Sequence, residues 1–135
     1  MKTLQAFHGD QEIKDKYLAR VKAHREADQL IQGLGWDPET KRGCAIGCVL
    51  DAYDHSRYPI ELGIPEVLAR LEDQLFELMP HEDAMLWPER FLAAAKPGAD
   101  LSTVWPKWAV WMLVDPDHGV IRHAGGRQDV IDAIN

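Results

Sequence analysis

The segment "LGIPEVLARLEDQLFELMP", residues 62–80, constrains the fold more than any other part of the chain. Its apolar residues recur at every third or fourth position: Leu68, Leu71, Leu75, Leu78 and Met79. Pro65 suits the first position of a helix, and Pro80 cannot continue one. The segment therefore predicts an amphipathic helix that buries one stripe against a core.

The length and composition predict one such core. The chain has 135 residues, enough for a single domain of ordinary size. Hydrophobic residues make up 46% and charged residues 27%, which is typical of a folded globular protein and not of a disordered chain. We therefore expect a mainly α protein: a single compact helical domain over residues 1–135, with about five or six helices.

The remaining helices are predicted from caps, breakers and apolar spacing. Asp10 can cap a first helix, whose apolar spacing continues to Leu34 before the "GLGW" break. The other predicted segments are Cys44 to His55, Pro88 to Ala95, Ser102 or Pro106 to Val114, and a helix within "AGGRQDVIDAIN". "VWMLVDPDHGVIRH" also fits a short β-hairpin near the C-terminus, because Val, Trp and Ile favour strands on either side of a turn.

The charges and the apolar runs of the sequence exclude some classes of binding partner. Fifteen basic and twenty-two acidic residues give a net charge of −7, which disfavours nucleic-acid binding. The start of the chain does not resemble a signal peptide, and no apolar run is long enough to span a membrane. We expect a cytoplasmic protein without a membrane partner. A protein partner or a homo-oligomer stays open.

A stripe of reactive side chains follows the second predicted helix. At about 100° per residue, Cys44, Cys48, Asp51 and His55 share one side of that helix, and its apolar residues occupy the other. A disulfide across one helical turn would strain the helix, whereas a zinc ion can take both sulfurs. The alternative is that both thiols only pack in a core.

Two glycines flank the cysteines. Gly43 and Gly47 each cost about 1 kcal/mol in a helix relative to alanine, so a local need should offset that cost. One explanation is the close approach of a neighbouring backbone. The other is a helix start at Cys44, where the helix amides would lower the pKa of the thiol and favour the thiolate.

The first helix carries a second polar pair on its apolar stripe. His24 and Asp28 are four residues apart, so the aspartate could orient the imidazole by a hydrogen bond. We expect the first two helices to pack side by side and to join both sets of polar residues in one cluster. Glu72 lies near the edge of the leucine stripe and could also reach it.

The cluster suggests two kinds of chemistry. For a thiol site, the predicted catalytic residues are Cys44 as nucleophile and His24 as base, with Asp28 as the orienting group. His55 is the alternative base. For a zinc site, the predicted ligands are Cys44, Cys48, His55 and His24. If these residues are purely structural, the chain is better understood as an acidic interaction protein that binds a protein partner without being an enzyme.

The motifs resemble those of a family of small proteins from bacteria and their phages. They are His24 with Asp28, "GCAIGC" at 43–48, His55 with Tyr58, and "LGIP" at 62–65. The resemblance covers roughly residues 7–80. It implies a bacterial or phage origin and supports the helical interpretation, but this family has no settled activity from which site residues could be assigned.

Overall fold

The computed structural model describes residues 3–134, and within them the fold is mainly helical, as predicted. Seven α-helices lie in these residues: α1 Gln11–Glu26, α2 Ala45–Leu50, α3 Arg57–Leu62, α4 Glu66–Leu78, α5 His81–Ala94, α6 Val104–Val114 and α7 Gln128–Ile134. Two 3-10 turns, Ala6–Gly9 and Val120–His123, accompany them.

The chain divides after Leu101 into two compact units. The first unit contains α1 to α5, and the second contains α6, the turn Val120–His123 and α7. No residue of α6 is buried, although the helix is almost entirely apolar. One domain over residues 1–135 stays a prediction.

The core of the first unit lies between α1, α2, α4 and α5. α2 is central: all six of its residues are buried, and it packs against the other three helices. Polar contacts fix α1 on α5. Lys14 Nζ donates to Ala93 O at 2.9 Å and to Ala95 O at 2.8 Å, and the Arg25 guanidinium pairs with the Glu89 carboxylate.

A two-stranded antiparallel ribbon connects α1 to α2. β1 is Trp36–Asp37, β2 is Arg42–Gly43, and Trp36 is paired with Gly43. The β-hairpin considered near the C-terminus is wrong, because Val104–Val114 is helical there and Val120–His123 forms a 3-10 turn. The apolar run alone did not distinguish the two structures.

Two predicted helices end earlier than their apolar spacing indicated. α1 stops at Glu26, and Asp28 beyond it has a left-handed backbone with φ 55°. α2 stops at Leu50, because Asp51 has φ 54° and caps the helix end. Aspartate tolerates this conformation better than most residues. The second predicted helix is therefore split, and His55 lies in the loop before α3.

The helix predicted at the proline-bounded segment is confirmed as α4, with Pro65 as its N-cap. The helix predicted from Pro88 is longer than expected: α5 begins at His81 and contains Pro88 in its interior.

The glycines beside the cysteines accommodate a neighbouring backbone. A Cβ atom added to Gly47 would lie 2.1 Å from Gly35 O, and one added to Gly43 would lie 2.5 Å from the same oxygen. Cys44 N donates a hydrogen bond to Gly35 O at 3.1 Å. The first explanation of the glycines, close backbone approach, is therefore confirmed.

Across residues 3–134, we find no helix with the length and apolar character needed to cross a bilayer.

Candidate functional site

Cys44 lies at the inner wall of a pocket in the first unit. It is the N-cap residue of α2, and only 1% of its surface is exposed. The pocket has a volume of about 470 Å³. It is lined by Cys44 together with Gly33, Gly35, Tyr53, Asp73 and Glu77. A buried thiol therefore faces a space large enough for a small ligand.

Two carboxylates of α4 approach this thiol. The ligand atoms of Cys44, Asp73 and Glu77 all lie within 4.8 Å of one another. Asp73 and Glu77 are one helical turn apart, so they project from the same face of α4. In residues 3–134, no other set of three or more such side chains has this geometry.

Hydrogen bonds orient both carboxylates. Asp73 Oδ2 accepts from Tyr53 Oη and is bonded to His55 Nε2, each at 2.8 Å. Glu77 Oε2 accepts from the backbone N–H of Gly33 at 2.6 Å. The Tyr53 and His55 rings meet edge to face, with centroids 5.0 Å apart. These partners fix the carboxylates in the way that outer groups fix metal ligands.

The site concentrates negative charge. Burial raises the pKa of the Cys44 thiol, and the nearby Asp73 charge raises it further. Burial and the same Asp73 charge also raise the pKa of Glu77. Within the described residues, no lysine or arginine forms an ion pair with Asp73 or Glu77. A cation placed among these groups would relieve their mutual repulsion.

Cys44 does lie at the start of α2, as the second explanation of the glycines supposed, but its pKa is raised and not lowered. The N–H groups of Ile46 and Gly47 at the start of α2 do lower it, but burial outweighs them. A buried thiolate without a cation would be unfavourable. The thiol is therefore expected to be protonated in the metal-free protein.

Cys48 does not share the pocket with Cys44. It is fully buried, and its thiol donates to Gly43 O at 3.3 Å and to Gln29 O at 3.6 Å. Burial raises its pKa to about 12. Both cysteines are free thiols. Because Asp51 ends α2, the predicted stripe of Cys44, Cys48, Asp51 and His55 does not form.

His24 belongs to a separate polar cluster. Its Nε2 is 2.8 Å from Asp51 Oδ1, and its Nδ1 is 2.6 Å from Gln29 Oε1. The expected pairing with Asp28 is absent, because α1 ends before Asp28 and both ring nitrogens of His24 have other partners. The His24 and Trp36 rings also meet edge to face, with centroids 5.5 Å apart.

The fold thus brings together only some of the residues predicted as zinc ligands or catalytic groups. His55 is connected to Cys44 through Asp73, whereas Cys48 and His24 are not in the group of ligand atoms around Cys44. The set Cys44, Cys48, His55 and His24 is not a ligand group in this structure. The catalytic roles suggested for Cys44, His24 and Asp28 stay predictions.

Sequence reasoning missed Asp73 and Glu77 as partners of Cys44. Both lie off the leucine stripe of α4, a position that indicates solvent exposure. Glu77 is indeed exposed, whereas the Asp73 side chain is only 13% exposed. Their four-residue spacing was the available signal, but it does not reveal that α2 packs over that face. Glu72, which was considered, is fully buried and accepts from Tyr58 Oη at 2.6 Å through Oε1.

Comparisons with known proteins give no match. No family model fits the chain, and neither the search of the curated proteins nor that of the solved structures returned a significant match.

Proposed function

We propose that this protein binds one divalent transition-metal ion, zinc being the expected one, through Cys44, Asp73 and Glu77. The observation that carries this proposal is the 4.8 Å grouping of one sulfur and two carboxylate ligands beside a pocket. Tetrahedral zinc with sulfur and oxygen ligands requires ligand atoms about 3–4 Å apart. Small side-chain rotations would close the remaining distance.

The surroundings of these three side chains favour a metal-binding site over a group of acidic residues that binds nothing. Asp73 is held by Tyr53 and His55, and Glu77 by the Gly33 amide. The two carboxylates have no lysine or arginine partner, so a bound cation would offset their charges and would also stabilise the Cys44 thiolate. The sulfur ligand favours zinc over magnesium or calcium, which prefer oxygen.

Three protein ligands leave a tetrahedral ion with one open position. Such a position suits a water molecule or an exogenous ligand that enters from the pocket. The site would then resemble catalytic zinc sites more than structural ones, which use four protein ligands.

Thiol chemistry at Cys44 is the weaker alternative. The thiolate is the reactive form, and burial together with Asp73 raises the pKa of this thiol. His24 has Asp51 and Gln29 as partners, so it would have to leave both to act as a base for Cys44. His55, the other predicted base, is bonded through Nε2 to Asp73 Oδ2. Two free thiols are compatible with a reducing compartment, and we propose a cytoplasmic protein of bacterial or phage origin.

Metal analysis of the purified full-length chain, made without a histidine tag, tests the proposal. After loading with zinc and desalting against a weak chelator, we expect about one zinc per chain. Cys44→Ala and Asp73→Asn should each lose most of the bound zinc. Circular dichroism of every variant checks that it remains helical.

Cys48→Ser is the matched control, because it changes the same residue type one helical turn away. It should keep its zinc, since Cys48 faces backbone carbonyl groups and not the pocket. The proposal fails if Cys44→Ala retains stoichiometric zinc in a folded protein, or if the wild-type chain takes up none.

A further inference from the structure

Helix α6 of the second unit, Val104–Val114, is apolar on every side. Lys107 is the one charged residue among its 11 residues. A helix of this composition is normally buried, because it has no polar face to turn toward water. No residue of α6 is buried, so part of its surface lacks an apolar partner within the described residues.

The exposed residues of α6 are concentrated on one side of the helix. At about 100° per residue, six of its seven exposed residues fall within one half of its circumference. They are Val104, Pro106, Lys107, Val110, Trp111 and Leu113, and together they form the outer face of α6. The opposite half carries Trp108, Ala109 and Met112, which are partly buried.

The outer face is large enough to form a dimer contact. Four of its apolar side chains are between 40% and 56% exposed: Val104, Val110, Trp111 and Leu113. With Pro106 and the aliphatic stem of Lys107, they leave on the order of 500 Å² of apolar surface in water. Monomeric proteins rarely expose a larger apolar patch. Two such faces would bury about 1,000 Å² on pairing, which is the size of a weak, reversible protein interface.

The charges along the outer face are complementary to those of a second copy. Lys107 and Asp115 lie four residues before and four residues after Trp111, so the three residues follow one row of the helix surface. Within residues 3–134, Lys107 forms no ion pair. In an antiparallel pair of α6 helices that crosses at Trp111, each Lys107 would lie opposite Asp115 of the other copy. That end of the helix also carries the negative pole of the helix dipole.

The Trp111 side chain is suited to the centre of this contact. One face of its ring is stacked on His118, with centroids 5.6 Å apart, which holds the side chain in place. Its exposed fraction is 43%. Tryptophan residues that are held in place at the centre of an interface contribute much of the binding energy.

A lipid surface fits α6 less well. Helices that lie on a bilayer have a polar face rich in lysine and arginine, whereas α6 has one lysine and no polar face. Its 11 residues rise about 16 Å, roughly half the thickness of the hydrocarbon core. The net charge of −7 also opposes binding to anionic lipids.

We propose that the outer face of α6 is the contact surface of a homodimer, in which the α6 helices of two copies pack antiparallel across a two-fold axis near Trp111. A two-fold axis brings the same surface of both copies together, so every Lys107 contact with Asp115 occurs twice. The dimer is independent of the metal site, because Cys44, Asp73 and Glu77 all lie in the first unit.

Light scattering of the full-length chain after size-exclusion chromatography tests the proposal, with chelator present so that no metal bridges two copies. Between about 1 and about 200 µM, we expect the mass to rise from 15.3 kDa toward twice that value, with a dissociation constant in the micromolar range. Val110→Asp places a charge on an already exposed position and should weaken the dimer at least about tenfold. Ile60→Asp is the matched control, because Ile60 is 75% exposed in the first unit and should leave the dimer unchanged.

A pair of charge variants tests the antiparallel arrangement. Lys107→Glu should weaken the dimer about tenfold, because it places two acids opposite each other. Asp115→Asn keeps an acceptor for the backbone N–H groups of Asp117 and His118. It should weaken the wild-type dimer but strengthen the Lys107→Glu dimer, which is the sign of a direct contact. Circular dichroism checks that each variant remains helical.

Three results would overturn the proposal. The first is a full-length chain that stays monomeric at about 200 µM, well above the dissociation constant expected for this area. The second is a dimer that Val110→Asp and Lys107→Glu both leave intact. The third is a monomeric chain that floats with vesicles of phosphatidylcholine and phosphatidylglycerol and loses this binding in Val110→Asp, because a lipid surface would then cover the outer face.

Discussion

Cys44 and Cys48 are one helical turn apart but have different surroundings. Cys44 faces a pocket with two carboxylates, whereas Cys48 donates to backbone carbonyl groups inside the fold. This difference places one sulfur beside two carboxylates and the other among backbone carbonyl groups. It also predicts how the two thiols react when no metal is bound.

In the metal-free native protein, we expect both thiols to resist alkylation at pH 7. Burial raises the pKa of each, that of Cys48 to about 12, so little thiolate is present and access is restricted. Labelling by iodoacetamide should be more than about tenfold slower than in the denatured chain. Mass spectrometry of digested samples gives the rate for each cysteine. Rapid, selective labelling of Cys44 would favour the thiol alternative.

Glu72 makes stability dependent on pH. Burial raises its pKa to about 8 from an ordinary 4.5, and its Oε2 has no hydrogen-bond partner. The folded state therefore favours the protonated acid. The raised pKa adds on the order of a few kcal/mol to the free energy of unfolding. This stabilisation is fully present below pH 4.5 and is lost as the pH rises through about 8.

Urea unfolding of the chelator-treated protein between pH 5 and 9, at intervals of about one pH unit, measures this effect. As the pH rises, the unfolding free energy of wild type should fall relative to that of Glu72→Gln. The glutamine stays neutral at every pH and keeps an acceptor for Tyr58. Parallel pH profiles of the two proteins would show that Glu72 is ionised in the folded state.

At the level of elements, the packing of α2 depends on the space that Gly43 of β2 and Gly47 of α2 leave for the Gly35 backbone. Gly35 O lies so close that a methyl group at Gly47 would overlap it at 2.1 Å. Alanine normally stabilises a helix by about 1 kcal/mol relative to glycine. The sign of the stability change in Gly47→Ala therefore shows whether helix propensity or overlap with Gly35 is the larger effect.

We expect Gly47→Ala to destabilise the protein by about 2 kcal/mol or more, as overpacking does. The displaced loop carries the pocket wall at Gly35, so zinc affinity should fall as well. Thermal unfolding and zinc titration measure the two effects. A higher melting temperature for Gly47→Ala would mean that the Gly35 backbone does not occupy this space.

The elements differ in how well the sequence predicts them, for physical reasons. α4 was predictable, because its stripe and both flanking prolines act locally. The ends of α1 and α2 were not, because Asp28 and Asp51 adopt left-handed conformations that many residue types avoid and that apolar spacing does not encode. The sequence predicted that some backbone would approach Gly43 and Gly47 closely, but it did not identify Gly35 as the residue that does so.

At the scale of the whole molecule, the candidate site joins segments that are far apart in sequence. Four parts of the chain contribute residues to the site: the loop around Gly35, Cys44, the loop from Tyr53 to His55, and α4. Cys44 and His55 were candidates from the sequence because both are chemically distinctive. Asp73 and Glu77 resemble ordinary surface acids in the sequence, and Glu77 remains exposed. Only the packing of α2 against α4 brings them near Cys44, and periodicity cannot predict that long-range contact.

The division after Leu101 predicts that the site is independent of the second unit. The buried core of the first unit and all site residues precede that point, and Ala99 and Leu101 pack against its edge. Backbone hydrogen bonds from Ala6 N to Ala99 O and from Gly98 N to Ala6 O tie this edge to the start of the chain.

A chain ending at Leu101 should therefore fold, keep a cooperative thermal transition and bind zinc with the stoichiometry of the full-length protein. A chain ending at Lys96 is the matched control: it loses both backbone bonds and the packing of Ala99 and Leu101, so its melting temperature should drop by several degrees. Circular dichroism and zinc analysis of the two fragments provide the measurement. If the longer fragment is unfolded while the full-length chain is stable, the first unit depends on residues 102–135, and the two units constitute one cooperative domain.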